Sequence, residues 1–196
     1  MKQTVKIVAL IVAIGLVVYF FTKTIVSQEG LPSEFIEGRT KGAELSSEIA
    51  ALYDQSLNNL RQIGQYEKEG DIASAFDLLE EEITRNQDAQ RKAIELSSEL
   101  EKMARSIDRI KPDSAKIAAT EAVSSEVTLV SRLVSYNEYF SQLFEALGEK
   151  FQDPQKYTNG KIEELLDNMN KESQAINELN ARFNESLTKL DSLLQP

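Results

Sequence analysis

The sequence predicts an all-α chain: an N-terminal single transmembrane helix followed by a long antiparallel up-down-up-down four-helix bundle. Three observations predict it. The run Ile7 to Phe21 carries no charge. Beyond it, four long stretches place apolar residues three and four apart, the period of a helix with one buried face. Period-two alternation is missing throughout, and only 8 Gly and 4 Pro punctuate 196 residues.

The first element is read as a membrane anchor. Its apolar surface is Ile7, Val8, Leu10, Ile11, Val12, Ile14, Leu16, Val17, Val18, Tyr19, Phe20 and Phe21, and residues 7–26 reach the roughly 20 positions that span a hydrocarbon core. Lys23 sits near the far end, where a long basic side chain snorkels to the interface. A cleaved signal peptide is the rival, since Lys2 and Lys6 suit its basic start; no A-x-A-like site follows, so a retained anchor is preferred. Basic residues cluster before the run, and after Lys23 none occurs until Arg39. The positive-inside rule then leaves a short N-terminus in the cytoplasm and the remainder outside the cytoplasmic (inner) membrane. The expected organisation is an anchor over 1–27, a linker over 28–33 and an acidic bundle over 34–196.

Gly30 and Pro32 interrupt any helix leaving the membrane. Ser33 is positioned to cap a first helix to about Lys68, with a stripe of Leu45, Ile49, Leu52, Tyr53, Leu57, Leu60 and Ile63. Gly70-Asp71 supplies a stop and a new cap. The second helix, about Asp71 to Ile110, shows a 4,3 seam of Ile72, Phe76, Leu79, Ile83, Asn86, Gln90, Ala93, Ser97, Leu100, Ala104 and Ile107. Pro112 ends it. The third runs from about Asp113 to Gln152 on a face that includes Val123, Val127, Val130, Leu133, Val134, Phe140, Phe144, Leu147 and Phe151. Asp153-Pro154 and Thr158-Asn159-Gly160 turn the chain into a fourth, about Asn159 to Leu194. Short connections make neighbours antiparallel.

Composition narrows the chemistry. The chain has no His, Cys or Trp, and 22 basic against 32 acidic residues give a net charge of −10. Zinc sites of Cys or His, Ser-His-Asp and Cys-His nucleophile systems and di-iron Glu-x-x-His sites are excluded. A negative balance argues against nucleic acid. No phosphate-cradling glycine loop is present, and no cofactor or metal is expected. Glu80-Glu81-Glu82 and the pairs Glu145/Glu149 and Glu163/Asp167 are read as solvated faces.

Two polar constellations stand out. S-S-E recurs in ELSSEI, ELSSEL and AVSSEV, placing Ser97 and Ser124 at one height on the second and third helices. Ser46 lies within roughly 9 Å of that height, and Ser186 matches it on the fourth helix. A small polar layer or pocket is one reading; the simpler one, ordinary solvent-facing Ser and Glu, is preferred. Asn86 and Gln90, with Asn137 and Ser173, form a candidate second layer, either a ligand site or, as preferred, a hydrogen-bonded pin that fixes register.

Tyr66, Gly70-Asp71 and Ala75 resemble the turn of a tetratricopeptide repeat. The flanking helices are too long for that repeat, so the segment is read as an αα-hairpin. A short N-terminus, one anchor and an outward helical bundle also resemble the layout of the LemA family. The expected function is noncatalytic: an extracytoplasmic adaptor, scaffold or assembly factor, held to the membrane by residues 7–26 and working through a protein partner or a homo-oligomer. The alternative is an extracytoplasmic sensor or ligand-binding bundle that signals through a membrane partner.

Overall fold

In the computed structural model, residues 30–154 and 160–195 are described. They form four long helices: α1 (Ser33–Glu69), α2 (Ile72–Ser106), α3 (Asp113–Gln152) and α4 (Gly160–Leu193), with a short 3-10 turn at Ile107–Arg109 after α2. No strand occurs among the described residues. At 1.5 Å per residue the helices are roughly 50–60 Å long. The anchor expected over 7–26 and the turn at Thr158-Asn159 lie outside the described residues. Among the described residues no helix is long and apolar enough to cross a membrane.

Local chemistry sets the ends. Pro32 is extended, and its carbonyl accepts from the Phe35 and Ile36 amides, so α1 starts on a proline carbonyl and not on a Ser33 side-chain cap. Glu34 sits in the first turn. The backbone hydrogen bond there, then Arg109 at 2.8 Å, hold its carboxyl below the usual range. At the other end Gly70 takes φ 81°, where a side chain would be strained. Its amide and that of Asp71 then reach the Glu67 and Tyr66 carbonyls. Asp71 caps α2 by accepting from the Ser74 amide at 3.2 Å and the Ser74 hydroxyl at 2.7 Å, and those bonds lower its pKa. Pro112 opens α3 as Pro32 opens α1, its carbonyl accepting from Ala115 and Lys116.

The hairpins pack antiparallel. Glu48 of α1 pairs with Lys92 of α2, and Asn59 with Glu82, so the two chains run in opposite directions. They approach closely near the start of α1. A Cβ at Gly38 would lie 2.7 Å from Met103 Cγ and 2.9 Å from the Glu99 carbonyl oxygen, so this position needs glycine. The α2/α3 seam is held by Phe76 against Phe151, centroids 5.5 Å apart and edge-on. Arg132–Glu172 and Glu121–Lys189 tie α3 to α4. The fourth side differs. No comparable run of close backbone approach joins α1 to α4. Arg39 donates to both Asp191 carboxylate oxygens across it, at 2.7 and 2.8 Å.

The core is continuous along the bundle, with Phe35, Tyr53, Leu96, Tyr136, Phe140, Phe144 and Phe183 nearly inaccessible. Each such side chain contributes roughly 1.5–3 kcal/mol by burial. Two stripes differ from those expected. On α2 the buried column is Ala75, Leu79, Glu82, Asn86, Ala89, Ala93, Leu96, Leu100 and Met103. It shares every second position with the expected seam and is turned by one residue at the others, leaving Ile83, Gln90 and Ser97 exposed. On α3, Val127 and Val134 are exposed.

Candidate functional site

Polar residues enter the core on all four helices and gather at two heights. The middle layer is built on α2 and α3. Asn86 Nδ2 donates to the Asn137 backbone carbonyl at 3.0 Å and to Ser141 Oγ at 2.8 Å. Ser141 Oγ donates to the same carbonyl at 3.2 Å. That carbonyl therefore accepts two side-chain bonds, while the buried Asn137 side-chain amide has no partner at either end. Tyr53 of α1 reaches this layer. Its ring is edge-on to Tyr136 with centroids 5.0 Å apart and stacked on Phe140 at 6.3 Å. Its hydroxyl is buried without a hydrogen-bond partner. Burial raises the Tyr53 phenol strongly; the Asn137 amide beside it, outside hydrogen-bond geometry, offsets part of that shift. Burial also raises Tyr136. Asn170 and Ser173 of α4 are buried. Just above, Glu82 is fully buried, accepting from Asn59 at 2.6 Å and Arg85 at 2.5 Å on one oxygen, with the other left bare.

The lower layer contains carboxyl groups. Glu126 occupies the α3 seam between Ala122 and Leu129 and is 2% exposed. Its Oε2 has no partner, and burial pushes its carboxyl up to about 7. Register places its neighbours. Glu99 follows Asn86 by 13 residues on α2, and Glu126 precedes Asn137 by 11 on the antiparallel α3, so the two share nearly one height. Asn177 follows Glu172 by 5 residues while Glu126 precedes that residue's partner Arg132 by 6, which puts Asn177 at the same height on α4. Lys102 pairs with one Glu99 oxygen at 2.7 Å; the other oxygen, Asn177 Oδ1 and Ser46 Oγ are buried without partners. Asn180 is also buried and accepts from Asn184.

The sequence-derived positions divide. Ser46, Asn86, Asn137 and Ser173 lie inside the bundle, Ser186 is half-buried, and Gln90, Ser97 and Ser124 face outward. The buried residue in two of the three S-S-E motifs is the glutamate, Glu99 and Glu126, while Glu48 of the first is exposed and pairs with Lys92. Sequence reasoning missed Glu82, Glu99, Glu126 and the Tyr53 hydroxyl. The signal for Glu126 is its spacing: Ala122, Glu126, Leu129 and Leu133 continue one 4,3 column.

Among the described residues no three carboxylates gather into a group able to hold a metal ion. The middle layer offers a free amide donor, a free amide acceptor and a phenol, the equipment for holding a small neutral polar group or fixing register. The lower layer offers acceptors and one carboxyl that stays neutral below pH of about 7. In comparisons with known proteins the chain matches no family model, no curated protein and no solved structure.

Proposed function

We propose that this chain is a noncatalytic, membrane-anchored helical bundle that works through protein–protein contacts as an extracytoplasmic adaptor, scaffold or assembly factor. The observation that supports it best is the kind of polar groups the bundle contains. Among the described residues the groups buried in the core are amides, hydroxyls and carboxyls spread over two layers. Anchorage rests on the apolar run 7–26, and orientation on Lys2 and Lys6 ahead of it. Without Lys2, Lys6, Lys23 and Glu29 the remaining chain holds 19 basic and 31 acidic residues, a net −12. Anionic lipid repels such a body, which favours a protein partner over a lipid one.

In vivo cross-linking with mass spectrometry tests the adaptor reading: a reproducible protein partner supports it, and its absence counts against it. Protease treatment tests the topology. Digestion of the bundle only after the inner membrane is opened would reverse the orientation.

One observation favours the second reading, an extracytoplasmic ligand-binding bundle that signals through a membrane partner. The Asn137 amide and the Tyr53 hydroxyl are buried together and unpartnered. A small polar molecule retained by the purified protein, and lost with Asn137→Leu, would support that reading.

A further inference from the structure

The surface, like the core, is uneven. Among the described residues the large hydrophobic side chains left exposed are Ile83 and Ile94 on α2 and Ile117, Val127 and Val134 on α3. Ile94 is 64% exposed and Val127 53%. Four of them border one outer groove. Val134 and Val127 lie one and two heptads before Ser141, which accepts from Asn86 of α2. Ile83 lies one heptad after Phe76, which packs on Phe151 of α3. Ile94 lies three helical turns beyond Ile83 on the same side of α2. By that register Gln90 stands across from Val134, and Ser97 across from Val127.

The α3 side of this face is nearly without charge. Between Glu121 and Glu138, α3 has two charged residues. Glu126 is buried, and Arg132 turns to α4, where it pairs with Glu172 at 3.2 Å. The outward residues of this stretch are Ser124, Val127, Thr128, Ser131 and Val134. On α2 the groove side from Ile83 to Ser97 carries Gln87, Gln90 and Ile94; beside it the exposed Arg91 pairs with Asp88 of the same helix, and Glu95 lies on the flank turned away from α3. On α3 this outward run without charge lasts roughly four helical turns, in a chain in which 28% of residues are charged. The serines are small enough to let another helix approach closely.

We propose that this α2/α3 face is where a second copy of the chain docks. The inference deepens the reading of the protein as a contact-making bundle and rests on it. Charge selects the occupant. Residues 30–196 carry a net −12, so most faces of two copies would set carboxylates against each other. Along the groove they meet mainly with apolar, hydroxyl and amide groups, and Arg91 beside it is matched by Asp88 of its own helix, so the like-charge cost is small. A basic partner gains little on this nearly neutral face and is drawn to the acidic ones. The outward serines at one height on α2 and α3 then belong to the contact between copies, not to the interior of one.

The chain has no Cys, so one introduced thiol is unique. Full-length Ser97→Cys and Ser131→Cys proteins in detergent micelles are treated with a short bismaleimide, beside Gln55→Cys on α1 and Gln174→Cys on α4 as exposed controls. Docking raises the local thiol concentration, so the first two should yield at least about tenfold more linked pairs than the controls. Adding Val127→Glu to Ser97→Cys should return the yield to control level, with the circular dichroism of the folded chain unchanged. Equal yields at all four positions overturn the inference, as does linkage of Ser97→Cys in cells to a different protein in place of a copy. If no pair forms while a partner is captured elsewhere on the bundle, this face is wrong and the adaptor reading stands. If pairs form and no partner is ever captured, the face is right and the adaptor reading fails.

Discussion

The middle and lower polar layers solve one problem in opposite ways. In the middle, neutral amides enter the core and Asn86 spans two helices with two hydrogen bonds. Below, a carboxyl enters, and Glu126 finds no cation. An amide costs little once bonded, and its bonds depend on axial position, so it sets register. A carboxyl without a cation is tolerated by staying protonated, which makes its cost depend on pH. The contrast predicts that the middle layer is sensitive to geometry and the lower layer to proton concentration.

The largest effect should come from breaking the middle layer. Tyr53→Ala removes a ring packed on Tyr136 and Phe140 and should cost roughly 3–5 kcal/mol in denaturant unfolding. A loss under about 1 kcal/mol would show that the aromatic stack does not support the layer.

The lower layer should respond to pH. Below about 4.5 Glu126 is protonated in both the folded and the unfolded chain and contributes no penalty. Between that value and about 7 the unfolded chain ionises and the folded one does not, so stability falls as pH rises. Above about 7 both are charged and the loss is constant, on the order of 3 kcal/mol. Thermal unfolding at pH 5 and 8 should show this drop for the natural chain and lose it in Glu126→Gln. Asp71 and Asp108, whose carboxyls are lowered by Ser74 and Lys116, act in the opposite sense and only at more acid pH. A drop of equal size in Glu126→Gln would assign the pH response elsewhere.

Asn86→Ala should cost about 2 kcal/mol, since it removes two hydrogen bonds and leaves a cavity. That cost should be the same at pH 5 and 8, and a pH-dependent cost would merge the two layers. The smallest effect is expected at Ser46, whose buried hydroxyl has no partner. Ser46→Ala should change stability by less than about 1 kcal/mol, in the stabilising direction. A clear loss in chemical denaturation would show that this hydroxyl is bonded.

Much of the fold is legible in local chemistry. Gly70 with Asp71, Pro112 and Asp153-Pro154 mark their turns because each acts on its own backbone. The rotation of α2 was not legible. Its 4,3 pattern is present in two adjacent columns, and Phe76 and Ile83 weight the outer one. The inner column can turn inward because one Glu82 oxygen accepts from Arg85 and from Asn59, a residue on another helix. Such a bond has no local signature. The same holds for S-S-E: the serines could be placed at one height, but the inward turn of Glu99 and Glu126 depends on packing against neighbouring helices. Helix propensity alone counts Gly38 against α1, whereas it is where α1 meets the Glu99 carbonyl.

The Arg39–Asp191 pair has a mechanical consequence. It joins the start of the first helix to the end of the last, near Gly30 and within reach of Leu194. Consider tension applied at Gly30 along the axis of α1. The bundle is therefore loaded in shear, with the glycine-tight α1/α2 seam and this bidentate clasp sharing the force in parallel. A pull directed across the axis would instead peel the contacts apart one after another. The bundle therefore resists strain along its axis better than strain across it.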